Sequence, residues 1–340
     1  MATPDQPQLG PDDDNWHEHS QHWWETETTW WSFNHPGRRM GGWLYTQTLP
    51  VQETCNGGAW VWDDSEAGAL YEVRHHGLPF PDRGDLRHCA LPNGNTVEML
   101  EPLMKYRTTY SDPGSFEADL VHEGIMAPHS HPRGAWPFWA TRHFDQPMHV
   151  TGTIVLFGEE IPIDCYSVRD RSWGPRPMGP TPAEKKLPPG TLPRPDPPLR
   201  ASSGPHSVGY VFGTQDAEEA FLAFTDPWLR SDGRATDELD TGFLLRGGVY
   251  APLVTGFRTT ELDPQTRFIE RIHLEATDTL GREVSADGEL MAHHGTQGPS
   301  GTGLFSWRWT GGCEGWGEDQ TFGPPEWLLA LDRAGPRTAP

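Results

Sequence analysis

The chain has 340 residues, which suggests two domains, and its formal net charge is −22 at pH 7. A surface this acidic cannot neutralise phosphate groups, which excludes nucleic acids and anionic membrane surfaces as partners. Hydrophobic residues make up only 35%, but 16 Trp, 14 Phe and 7 Tyr supply enough large side chains for a core, so most of the chain is not disordered.

The first part of the chain is polar and then aromatic. Residues 1–15 are acidic and predict a disordered tail, not a signal peptide. Residues 16–31 carry several Trp and predict a short helix. No apolar run approaches the roughly 20 residues that a membrane-spanning helix needs. We therefore expect no membrane insertion and a cytoplasmic location.

Short runs of alternating apolar and polar residues predict β-strands from Trp43 onward. Gly158-Glu159-Glu160 predicts a hairpin turn between two of them. The predicted strands of the first half lie at 43–49, 59–63, 69–76, 115–123, 149–157 and 161–168. Eleven prolines within residues 175–205 exclude helix and sheet interior and predict an extended linker or surface loop.

Strands resume after this stretch, and a short helix over 324–332 is predicted to close the chain. The later strands are predicted at 208–214, 220–225, 243–257, 267–277, 284–292 and 304–310. Many short strands with few, short helices are typical of barrels and sandwiches. The predicted fold is therefore all-β, with two such units in tandem. The predicted divisions are a tail at 1–15, domains at 16–178 and 205–335, and the Pro-rich linker at 179–204.

Several nucleotide, hydrolase and zinc motifs are absent from the sequence. There is no GxxxxGK[ST], no strand-linked GxGxxG, no GxSxG and no HExxH. The four cysteines form no CxxC pair and suggest no disulfide framework. Three kinds of function remain: acid–base chemistry without a cofactor, metal chemistry, and binding of a small ligand.

The segment 161–176 is the most distinctive in the chain. It predicts a strand that ends in Asp170, Arg171 and Trp173, beside a glycine that permits a sharp turn. A carboxyl group next to an indole in a dry cavity has a raised pKa and acts as a general acid. The alternative is a structural Asp–Arg pair with the indole filling a barrel.

Three segments resemble the carotenoid 1,2-hydratase and AttH-like family: the hairpin and Trp-Gly of 152–174, the stretch 30–50, and 311–320. The resemblance covers most of the chain and implies two packed lipocalin-like barrels. It also implies a cofactor-free reaction on an apolar terpenoid, steroid or polyketide-like molecule, with Asp170 as the proton donor. The sequence departs from that family by placing Arg169 and Arg171 beside the aspartate, which would weaken an acid unless both point away.

Further residues are candidates for supporting roles. Tyr166 or His149 would position water or act as a base. The segment 313–320 is either a solvated acidic turn or a source of carboxylates from the second domain. The predicted substrate-binding side chains are Trp173, Arg171, Arg176, Trp316 and Glu318.

A histidine-rich segment lies at 121–134. His122, His129 and His131 have side chains that bind metals. Pro128 and Pro132 favour a solvated loop, so we expect no stoichiometric metal and no other cofactor. A metal-dependent enzyme built on these histidines is the third hypothesis.

The preferred interpretation is a cofactor-independent hydratase, dehydratase or related isomerase or cyclase acting on a small apolar molecule. The rival is a non-catalytic carrier of such a molecule, because a small β-barrel holds one ligand without chemistry.

Overall fold

The computed structural model describes residues 9–65, 69–131, 142–176, 208–226, 236–266, 268–294 and 301–322, without the side chains at positions 208, 226, 236 and 322. Strands make up 70% of these residues and helices 4%, so the predicted all-β class is confirmed. The described helices are short 3-10 turns at Pro11–Asp14, Pro36–Arg38 and Pro50–Gln52. None of the described helices is long and apolar enough to cross a bilayer.

The first half of the chain forms one antiparallel sheet of eleven strands, which curls into a half-barrel. The spatial order is β4-β3-β2-β1-β11-β10-β8-β7-β6-β5, and β9 pairs with β10. In chain order the strands are β1 (Glu25–His35), β2 (Met40–Leu49), β3 (Thr54–Trp62), β4 (Tyr71–Pro79), β5 (His88–Ala90), β6 (Asn95–Glu101), β7 (Lys105–Asp112), β8 (Phe116–Gly124), β9 (His129–Ser130), β10 (Arg142–Leu156) and β11 (Glu159–Pro175).

The second half closes into an eight-stranded antiparallel barrel in which each strand pairs with its neighbours in sequence. Its interior is filled by large side chains such as Phe221, Phe305 and Trp307. A Cβ added at Gly317 would lie 1.8 Å from the carbonyl oxygen of Phe212, so this close approach of two strands requires glycine. The strands are β12 (Val208–Thr214), β13 (Ala220–Asp226), β14 (Thr236–Arg246), β15 (Val249–Leu262), β16 (Ile269–Asp278), β17 (Glu283–His294), β18 (Gly301–Trp309) and β19 (Cys313–Phe322).

Most predicted strands match observed ones, with two corrections. The predicted helix over 16–31 is wrong, because its second half belongs to β1, where Thr and Trp favour an extended chain. The predicted strand 243–257 is two strands, since Gly247 and Gly248 both have positive φ and form the turn between them. The Pro-rich stretch 179–204 and the predicted closing helix lie outside the described residues.

Two apolar patches join the sheet to the barrel. Alternation along β1–β3 turns Trp30, Trp43, Trp60 and Trp62 away from the core of the first sheet. These indoles pack against residues of β17 and β18, namely Met291, Ala292 and Leu304. In the second patch, Val168 of β11 packs against the outer side chains of β12–β14, including Phe212, Leu222 and Phe243. The outer face of the first sheet is therefore its interface with the barrel.

Candidate active site between the two β domains

The hairpin of β10 and β11 places two carboxyl groups side by side. Phe157 and Gly158 both have positive φ, as a two-residue hairpin turn requires, and they set Leu156 opposite Glu159. Counting outward from this turn brings Asp145 opposite Asp170. Residues paired across adjacent strands share one face of the sheet, so the two carboxyl groups are neighbours.

Arg169 and Arg171 point away from Asp170, because successive side chains of a strand lie on opposite faces. Arg169 donates hydrogen bonds to Gln146 at 2.7 Å and to Asp14 at 3.1 Å. Arg171 forms an ion pair with Glu27 at 3.1 Å. Both guanidinium groups are thus paired behind the sheet and point away from Asp170, which is the condition set above for an acid at this position.

Asp145 is held as an anion by two imidazoles. Its Oδ2 lies 2.6 Å from Nε2 of His131 and 2.9 Å from Nε2 of His143. Burial alone would raise the pKa of Asp145, but the charge and hydrogen bonds of the two histidines hold it well below its usual range. Asp145 is 1% exposed, so this stabilised negative charge lies within the protein.

Asp170 is the partner that keeps a proton. Burial and the negative charge of Asp145 raise the pKa of Asp170 to about 8, and the charges of Arg176, Arg171 and Arg169 offset this only in part. Two adjacent buried carboxyl groups cannot both ionise at low cost, so one holds the proton. The Asp170 side chain remains partly accessible, unlike that of Asp145. The pair thus offers an accessible neutral acid at neutral pH.

The second barrel contributes a further carboxyl group and a phenol. Burial raises the pKa of Glu318 on β19 to about 7, and hydrogen bonds from Ser32, Gln320 and Ser167 counter this in part. Its Oε2 and the hydroxyl of Tyr210 are buried, and neither has a hydrogen-bond partner among the residues that the structure describes. Burial also raises the pKa of Tyr210 well above its usual value, with the negative charge of Asp145 adding to the effect. These two groups leave polar atoms free to meet a ligand.

Aromatic side chains and one cation flank the acid. Trp30 pairs with Asp170 across β1 and β11, and its ring centroid is 5.7 Å from that of Tyr45. Arg176 follows β11 and donates hydrogen bonds to Ser172 and to the Tyr45 hydroxyl. The arrangement puts π faces beside a proton donor, which is suited to an apolar molecule that develops positive charge.

The comparison with protein families assigns the chain. A model described as "Domain of unknown function (DUF7064)" matches residues 10–327. The chain belongs to the DUF7064 family. The comparison with curated proteins finds no match.

Solved structures share the fold of this DUF7064 chain. The AttH-like protein of Nitrosomonas europaea is 14% identical with a TM-score of 0.55, and the match covers 94% of this chain and 98% of that one. CghA is 11% identical with a TM-score of 0.54, and the match covers 88% of each chain. Kievitone hydratase from Nectria haematococca is 11% identical, with a TM-score of 0.47 and 89% of each chain covered. At these identities the first two matches show a common fold.

The structure does not bring every predicted site residue of the DUF7064 chain to Asp170. Tyr166 and His149 are on the same face but four residues along their strands, about 13 Å away, and His149 pairs with the exposed Asp164 at 2.7 Å. Trp173 faces the opposite side of β11 and stacks on His17 at 3.8 Å.

Some of the remaining predicted residues lie at the interface near Asp170 and others do not. Arg171 lies behind the sheet, and Trp316 is 39% exposed, two residues from Glu318 on β19. Glu318 and Arg176 are the two predicted substrate-binding residues at the interface. The segment 313–320 is therefore part of a strand and not an acidic turn.

The histidines of the predicted metal set are also separated. His122 is buried within the first sheet, where its Nε2 lies 3.0 Å from the Thr108 hydroxyl. His129 and His131 are buried where β9 meets β10, so they are not in a solvated loop. Four further residues of the site were not predicted from the sequence: Asp145, His143, Tyr45 and Tyr210. The first two were signalled by their alternation on β10 and by the hairpin turn.

Proposed function

We propose that this DUF7064 protein is an acid–base enzyme, a hydratase, dehydratase or related isomerase or cyclase, in which Asp170 is the proton donor. The observation that carries the proposal is the Asp145–Asp170 pair, in which one carboxyl group is anchored as an anion and the other is kept neutral and accessible. The resemblance of 152–174 to carotenoid 1,2-hydratases and AttH-like proteins supports the same reaction class.

In the hydration direction, the Asp170 carboxyl transfers its proton to an alkene carbon, and the carbon next to it becomes a cation. The π faces of Trp30 and Tyr45 stabilise this cation. The oxygen of a water molecule then bonds to the cation and gives one proton to the Asp170 carboxylate. The acid is restored, and the net change is the addition of one water. Dehydration is the reverse, and loss of a different proton gives an isomer.

The proposed substrate is an apolar terpenoid, steroid or polyketide-like molecule. The interface that encloses Asp170 is built from two apolar patches, and the Trp cluster of the first patch lies on the same sheet face as the acid. The tyrosine hydroxyl of Tyr210 and the Glu318 carboxyl are available for one or two polar groups. A largely apolar site with few polar groups is typical of such ligands.

The experiment begins with a thermal-shift screen of terpenoid alkenes, terpenoid alcohols and steroids. Ligands that stabilise the protein are then incubated with it in oxygen-labelled water, and gain or loss of one water is followed by mass spectrometry. Asp170→Asn should lower turnover by about 10²–10⁴-fold, which is typical for the loss of a general acid, while ligand stabilisation persists. Asp164→Asn, an exposed position on the same strand, is the matched control.

Full turnover by Asp170→Asn would contradict the proposal. Binding without turnover by the wild-type protein would favour the carrier instead. The described cores offer little support for a carrier that holds its ligand inside a barrel, because the interior of the closed barrel is occupied by Phe221, Phe305 and Trp307.

A further inference from the structure

A group of three side chains lies beside Asp170 and includes its partner Asp145. His131, His143 and Asp145 are 7%, 3% and 1% exposed. Each offers one ligand atom, and the three atoms lie within 4.8 Å of one another. Two imidazole nitrogens and one carboxylate oxygen thus converge on one point inside the protein.

The backbone fixes this convergence. His143 and Asp145 alternate on β10, so their side chains share a face. The backbone N–H of His131, directly after β9, donates a hydrogen bond of 2.9 Å to the carbonyl oxygen of His143. All three ligands are therefore held by one pair of strands. Preorganisation of this kind lowers the entropic cost of binding an ion.

Two imidazoles, and no Lys or Arg of the described residues, pair with the carboxylate of Asp145. A buried carboxylate is costly unless a positive charge is close to it. A divalent cation in contact with Oδ2 would supply that charge.

We propose that Nε2 of His131, Nε2 of His143 and Oδ2 of Asp145 bind one divalent transition-metal ion, and that their ligand chemistry suits Zn²⁺. Two imidazoles and a carboxylate suit ions of intermediate softness, and they leave at least one coordination position open. Bonds of about 2.0–2.2 Å place the ligand atoms of a tetrahedral site about 3.3 Å apart. The present separations of 2.6 and 2.9 Å need to open by only a few tenths of an ångström.

This site differs from the set expected from the sequence. The predicted set was His122, His129 and His131. Of these, only His131 belongs to the site, and the other two ligands are His143 and Asp145. His122 lies elsewhere, beside Thr108. The proposal departs from our expectation of a metal-free protein, and it goes beyond the proposed function, which needs no ion. Asp170 is not one of the ligands.

The test uses the full-length protein, treated with a chelator and dialysed. Zn²⁺ is titrated by calorimetry, and Co²⁺ is added as a spectroscopic probe. We expect one ion per chain and visible Co²⁺ absorption bands of the intensity given by four- or five-coordinate sites. His143→Gln and Asp145→Asn should each weaken Zn²⁺ binding by more than about 100-fold, which exceeds the typical effect of losing a neighbour of a ligand.

His273→Gln is the matched control, because His273 also contacts two carboxylates, Asp287 and Glu275, but is on the barrel surface. It should leave Zn²⁺ binding unchanged. Circular dichroism checks that each variant is folded, and His131→Gln provides a third ligand variant if one of the others is not. Zn²⁺ should raise the melting temperature of the wild type and not that of the ligand variants.

Three results would overturn the proposal: no saturable binding by the wild type, equal binding by the ligand variants, or loss of binding in His273→Gln. Each would mean that the three side chains form a hydrogen-bonded cluster without an ion. Asp170→Asn separates this proposal from the enzymatic one, because it should abolish turnover and still bind Zn²⁺. Failure of either proposal leaves the other standing.

Discussion

Replacing Asp170 by Asn tests the buried acid without knowledge of the substrate. Asn has nearly the same shape but no proton to lose. Because the pKa of Asp170 is raised from 3.8 to about 8 in the folded protein, the folded chain binds this proton more tightly than the unfolded chain does. The resulting stabilisation is fully present below pH 3.8 and is lost as the pH rises through 8. The variant has no such loss.

The size of the effect follows from the pKa difference. At 1.36 kcal/mol for each pH unit, raising the pKa from 3.8 to about 8 has a ceiling of about 6 kcal/mol. Asp145 and Asp170 share one titration, and the neighbouring side chains relax when charge appears. We therefore expect Asp170→Asn to gain about 2–4 kcal/mol relative to the wild type between pH 5 and pH 9.

Urea unfolding at pH 5 and pH 9, followed by tryptophan fluorescence, measures this gain as a shift between the two midpoints. Asp164→Asn, with its side chain 81% exposed, should show no such pH-dependent gain. If the stability difference between Asp170→Asn and the wild type is the same at both pH values, Asp170 is already ionised in the folded protein. The argument for a neutral acid would then be refuted.

Three further predictions concern stability at one pH. Asp14→Asn removes the carboxylate that pairs with the fully buried Arg169 at 3.1 Å, and it should lower the unfolding free energy by about 3–5 kcal/mol in a urea titration. As the control, Glu159→Gln breaks an exposed pair and should lower it by less than about 1 kcal/mol. Gly317→Ala should abolish soluble expression or lower the melting temperature sharply, since its Cβ would overlap a backbone carbonyl; a wild-type melting curve would contradict the close strand packing. Tyr210→Phe removes a buried hydroxyl that has no partner within the described part of the chain, so the unfolding free energy should be unchanged or higher by about 1 kcal/mol; a large loss would show that the hydroxyl is bonded.

The strands that could be predicted are those with one buried and one wet face. β8 and the outer half of β10 alternate between buried and exposed residues, and the period of two is visible in their letters. β1 has buried residues on both faces, so its sequence ETETTWWSFNH shows no alternation. β19 was missed for a different reason: its buried Glu318 and Asp319 are acidic residue types, which in a sequence are typical of a solvated turn.

The candidate site could be predicted only where it depends on local register. The sequence predicts a strand end at Asp170 beside Trp-Gly, whereas β11 continues to Pro175, and Asp145 follows from counting back from the hairpin turn. Tyr210 and Glu318 meet the acid because the barrel docks on the outer face of the first sheet. That docking depends on how the two apolar patches fit together. The alternation of residues within a single strand does not predict such a fit.

The run Arg169-Asp170-Arg171 explains how one strand keeps an acid apart from the bases next to it. Alternation sends both guanidinium groups behind the sheet, where the segment before β1 and Glu27 neutralise them. The carboxyl group of Asp170 faces the barrel. On the same face of the sheet, its cross-strand partner is Asp145 of β10. Burial is the largest cause of the raised pKa of Asp170, and the barrel packs on that face of the sheet, so sheet and barrel together favour the protonated acid. The run Arg-Asp-Arg is therefore compatible with an acid at position 170.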